Sequence, residues 1–146
     1  MFKHKGLPIL GLLLSLFIIN TADADTPWSL TQASLGKQFS ATLNCDKAPF
    51  VGGFQTCSLS LSHKTDSKET PTESIKNAKI VLGGGMPAHH HGLPTKPVVI
   101  WSNKSHAYQI QGLKFSMPGA WELHFYIDAL DKLKTEKDTV TFKLAI

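Results

Sequence analysis

The run Met86-Pro87-Ala88-His89-His90-His91 holds the densest ligand chemistry in this 146-residue chain. Imidazole and thioether are metal-binding groups: the soft thioether suits Cu(I), while imidazole takes Cu(II), Zn(II) or Ni(II). His89 and His91 are two residues apart, so in extended backbone their rings project to one side and His90 to the other. Met117, the other methionine outside the N-terminal leader, is also followed by proline. Met86, His89, His91 and Met117, with His90 as a further imidazole, are therefore the candidate metal ligands, copper first and zinc second. The plainer alternative is a polar surface loop that binds divalent metal adventitiously, beside methionines that fill the core as they ordinarily do.

Other chemistries have less to stand on. The chain contains no Gly-x-Ser-x-Gly, phosphate-binding loop or dinucleotide fingerprint. No acidic residue lies between Glu73 and Glu122 to act as a base near the histidines. Glu122 and Asp128 read as the polar side of a strand and its end. We expect no enzyme. His63, His106 and His124 are isolated and read as sheet or surface residues.

The N-terminus predicts export. Lys3, His4 and Lys5 precede an apolar stretch from Leu7 to Ile19, and Ala22-Asp23-Ala24 has the small-x-small pattern of a signal peptidase site. Cleavage after Ala24 gives a periplasmic domain of 122 residues, 25–146, with no stable membrane anchor. The apolar stretch is shorter than the roughly 20 residues a membrane span requires. Losing Lys3, Lys5 and Asp23 takes the net charge from +4 to +3. The chain has no arginine and its lysines are scattered, which excludes nucleic acid as a partner.

Export also decides the two cysteines. In an oxidising compartment Cys45 and Cys57 read as a disulfide, stabilising by about 3 kcal/mol. Both lie outside the His/Met segments, so the Cys-His-Met ligand set of an electron-transfer copper site is absent.

The elements that must position these residues are strands. Phe39, Ala41, Leu43 and Cys45 alternate with polar residues, as do Gln55, Cys57, Leu59 and Leu61, and Trp121, Leu123, Phe125 and Ile127. Further strands are expected over 28–34, 75–82, 98–101, 108–115 and 140–146. Residues 63–74 read as a solvated loop, 83–97 as a glycine- and proline-rich loop, and 129–136 as a helical turn or loop. The fold class is all-β: about seven short strands in an antiparallel β-sandwich.

Two stretches resemble the YtkA-like or FixH-like family of exported bacterial immunoglobulin-like β-sandwich domains. They are residues 86–97, Met-Pro-Ala-His-His-His-Gly-Leu-Pro-Thr-Lys-Pro, and residues 108–123, which carry Phe115, Met117-Pro118-Gly119 and Trp121. The resemblance implies an immunoglobulin-like sandwich in the periplasm or at the cell surface with a link to copper handling. It carries Met-Pro-x-His-x-His onto Met86, His89 and His91, and Phe-x-Met-Pro-Gly onto Phe115, Met117, Pro118 and Gly119. His90 departs from the pattern, where a small residue is usual. The segment bearing Cys45 and Cys57 does not match it.

The expected function is periplasmic metal capture or transfer, probed by whether the two Met-Pro loops meet. The rival expectation is a non-catalytic interaction module of a periplasmic or membrane complex. It would use the histidine loop and an exposed aromatic edge near Trp121 and Tyr126.

Overall fold

Alternation of apolar and polar residues builds two stacked antiparallel sheets in the computed structural model, which describes residues 26–64, 73–131 and 134–146. The leader expected over residues 1–24 and most of the loop expected over 63–74 lie outside the described residues. The first sheet has the order β1-β2-β3-β7-β6, from Trp28–Ala33, Phe39–Cys45, Cys57–His63, Ala107–Gln111 and Val98–Ser102. The second has the order β5-β4-β8-β9, from His91–Gly92, Ala78–Met86, Ala120–Asp131 and Lys134–Ala145. The expected all-β sandwich is present, with nine strands among the described residues rather than about seven.

Inward-facing residues of both sheets form one core. Phe39, Leu43, Leu59 and Leu61 from the first sheet oppose Leu123, Phe125, Val140 and Phe142 from the second. Each large apolar side chain so buried contributes about 1.5–3 kcal/mol. Phe125 and Phe142 meet edge to face at 5.6 Å, the arrangement the aromatic quadrupole favours.

Polar ties fix the sheets to each other. The Ala78 amide that opens β4 donates to the Tyr108 hydroxyl of β7 at 3.0 Å, joining the two layers. Burial pushes the Tyr108 pKa above its ordinary value, and the Ala78 hydrogen bond only partly offsets this. On β9, Asp138 accepts hydrogen bonds from the Gly36 and Thr139 amides at 2.9 and 2.8 Å. Burial pushes its carboxyl up. Hydrogen bonds from the Ser34 side chain and from the Gly36, Thr139 and Gln38 backbones outweigh that, so it sits below its usual value.

The disulfide joins Cys45 to Cys57 as expected. The two are register partners on β2 and β3, with Cα atoms 4.1 Å apart.

Two sequence expectations are corrected. Residues 129–131 and 134–136 are strand rather than helical turn or loop: β8 continues to Asp131 and pairs with β9, Ala129 opposite Glu136. Ala129 keeps the inward alternation set by Trp121 to Ile127 and is buried, so the pattern extends one step beyond its large side chains. The glycine-rich run is also not wholly loop, because β4 continues through Gly83-Gly84-Gly85 to Met86. A side chain at Gly84 would strike the Glu122 carbonyl, and one at Gly85 the His91 carbonyl. Glycine there permits the backbone to lie flush against β8 and β5.

Candidate metal centre

The histidine segment is a turn built on that flush strand. Met86 ends β4, and Pro87–His89 form a single 3-10 turn. His90 closes the turn in the left-handed conformation at φ 53° and donates its amide to the Pro87 carbonyl at 3.4 Å. His91 and Gly92 then return antiparallel, opposite Met86 and Gly85, and the Leu93 amide donates to the Gly84 carbonyl at 3.1 Å.

The reversal at His90 leaves His89 and His91 near each other, their ring centroids 6.3 Å apart and inclined at 42°. All three histidines are exposed. An imidazole nitrogen binds metal at about 2.0–2.1 Å, and with roughly 1.1 Å from ring centre to nitrogen, two rings on one ion have centroids ~6.4 Å apart at most. The pair lies just inside that limit, and exposed side chains can rotate closer. As placed, the pair would span an ion only with a nearly linear N–metal–N arrangement; a tetrahedral Zn(II) would need the exposed rings to rotate closer. Among the described residues no three His, Cys, Asp or Glu side chains group to hold a metal.

The methionines occupy different surroundings. Met86 is 1 % exposed and belongs to the core, so its sulfur is shielded from solvent. Met117 is half-buried and packs against the same core, and its carbonyl accepts the Trp121 indole N–H at 3.0 Å. The two Met-Pro segments do meet. A Cβ placed on Gly119 would stand 2.6 Å from the Met86 methyl, so the Met117-Pro118-Gly119 turn is seated on the end of the Met86 side chain. Gly119 holds φ at +131°, where side-chain-bearing residues are strained. The contact joins the buried Met86 side chain to the exposed Gly119 backbone.

Among the described residues the other histidines, His63, His106 and His124, stand apart, as the sequence predicts. His63 packs against Phe39 and lies 4.0 Å from Glu136. His106 meets the edge of Trp101. His124 hydrogen-bonds Thr141 across the strand pair at 3.0 Å, with Glu122 at 3.7 Å. Glu122 also faces Lys143 at 3.4 Å, which places it among surface cross-strand pairs. Trp121 is not part of an exposed aromatic edge. It is buried with Phe115 at 5.2 Å, while Tyr126, on the opposite face of β8, is exposed.

Sequence reasoning missed an apolar cleft of about 430 Å³ beside the turn, walled by Pro87, Ala88, Trp121 and Leu144. It arises between segments distant in the chain, so no local spacing announces it. Among the described residues no helix is long and apolar enough to cross a membrane. No family model, curated protein or solved structure matches this chain.

Proposed function

We propose that this is an exported periplasmic domain that captures a metal ion, copper foremost, on His89 and His91 and passes it on. The observation that carries the reading is the exposed imidazole pair at 6.3 Å, held on a glycine-fitted hairpin. Two nitrogen donors and open coordination positions suit an ion that must be accepted and released. The ion polarises nothing here; its role is cargo. The disulfide suits an oxidising compartment, and the resemblance in residues 86–97 and 108–123 supports the same setting. Met86 serves from below, as packing that fixes the turn, and Met117 is the thioether nearer to solvent.

Titration with Cu(II) against a competing chelator tests this. We expect one ion per chain, and its loss in the His89→Ala/His91→Ala variant. Equal affinity in that variant would end the metal reading.

One observation favours a second reading, a non-catalytic interaction module. The apolar cleft beside the turn offers a seat for a partner's side chain. In that case Ala145→Arg, at the cleft wall away from the histidines, abolishes the partner's binding and leaves copper affinity unchanged.

A further inference from the structure

The disulfide between Cys45 and Cys57 closes a loop that is rigid yet presents apolar side chains to solvent. Phe54 is 66 % exposed and Val51 39 %. The loop is pinned from within by the buried Gln55 side chain. Its Oε1 accepts the Phe50 amide at 3.2 Å, and its Nε2 donates to the Phe50 and Gly53 carbonyls at 2.9 and 3.0 Å. It is pinned from outside as well, by the Gly52 amide on the Phe115 carbonyl and the Gln55 amide on the Leu113 carbonyl. So many fixed contacts hold Phe54 outward; it is not a side chain that failed to find the core.

Cations accompany the rings. The Lys47 amine lies 4.5 Å from the Phe50 ring centre, and the Lys114 amine 5.8 Å from that of Phe54. Phe50, Phe54 and Lys47 line one cleft of about 460 Å³. Asp46 is the loop's single acidic residue, and residues 74–121, which carry Lys114, contain no acid at all. Exposed apolar rings beside amines on a cross-linked loop match the boundary of an anionic bilayer: rings enter among the acyl chains and amines reach the phosphates.

We propose that the loop 46–56 is a peripheral contact for an anionic phospholipid surface. The proposal does not depend on the metal reading of the histidine turn.

The test is co-sedimentation of the full chain with vesicles of phosphatidylglycerol and phosphatidylcholine, and with vesicles of phosphatidylcholine alone. Binding is expected to the anionic vesicles and to fall at high salt. Phe54→Ser should weaken it about tenfold, and Lys114→Ala about fivefold. Both side chains reach the surface, and all variants share the N-terminus of the wild type, so the difference isolates the loop. A second reading uses the unaltered chain: a nitroxide-bearing lipid in anionic bicelles should broaden the amide resonances of Phe50 to Phe54 ahead of those of the histidine turn. Equal partition of wild type and Phe54→Ser overturns the proposal, as does equal binding to both vesicle types or broadening centred elsewhere. Loss of a co-purifying protein in Phe54→Ser, without any vesicle binding, also overturns it and assigns the loop to a protein partner.

Discussion

Two loops at one end of the sandwich show opposite ways of fixing a short segment. The histidine turn is positioned by the absence of side chains: Gly84 and Gly85 bring the backbone against β8 and β5, and Gly119 leaves room for the Met86 methyl. The loop 46–56 is positioned by added bonds: a disulfide, the Gln55 hydrogen bonds and the isolated bridges of Val51 to Phe115 and Phe54 to Lys114. The first shows imidazoles to solvent, the second phenyl rings. Glycine-made fit is sensitive to any added atom, whereas cross-linked fit is sensitive to any lost bond, and the difference can be measured.

The largest effect belongs to the cross-linked loop. Cys45→Ala/Cys57→Ala should cost about 3 kcal/mol in denaturant unfolding, and it should loosen Phe54 while the His89–His91 spacing persists. A variant as stable as wild type would show that the internal hydrogen bonds suffice alone. Next comes the glycine-made fit. Gly119→Ala should cost about 1–3 kcal/mol by overpacking against Met86, and shifts in the amide spectrum should reach His91 before they reach Phe54. A change confined to residues 117–121 would break the link between the core and the turn.

Smaller still is the acid limb, which neither loop controls. Asp138 has its folded pKa depressed, so its stabilisation is complete above the unfolded value of about 3.9 and is lost as pH falls through the folded value. Asp138→Asn should lower stability at neutral pH by about 1 kcal/mol and flatten its dependence below pH ~4. An unchanged acid limb would assign that dependence to other carboxylates. Least of all, His89→Ala/His91→Ala should leave stability within about 0.5 kcal/mol, as expected for exposed positions, while removing the imidazole pair from the turn. A larger loss would mean that the rings hold the hairpin together.

Most of the sandwich is legible in the chain because half-buried strands alternate with period two. The inner faces of β2, β3 and β8 run Phe39 to Cys45, Cys57 to Leu61 and Trp121 to Ile127, and all of these inward residues are buried. Legibility fails where the side chain carries no pattern. Glycine cannot alternate, so Gly83 to Gly85 read as loop although close backbone approach makes them strand. Ala129 is too small to signal burial, so the β8–β9 hairpin was hidden. At the candidate site the sequence singles out His89 and His91, but the extended backbone expected to aim them together is absent: a 3-10 turn and the left-handed His90 bring the rings near each other instead. The burial of Met86 is not legible either, because it depends on Gly119, over thirty positions away. Phe50 and Phe54 sit in a Pro/Gly turn where no alternation calls for them, a signal that a turn reading passes over.

The seat of Gly119 on the Met86 methyl bears on how this turn could be moved. The residues from Met86 to Gly92 look like a cassette to be grafted onto another hairpin. Yet the side chain that opens it is anchored in this molecule's interior, under a turn that only glycine fits. A transplant carrying the histidines alone would leave that anchor behind, and the spacing of the rings would then be set by the host.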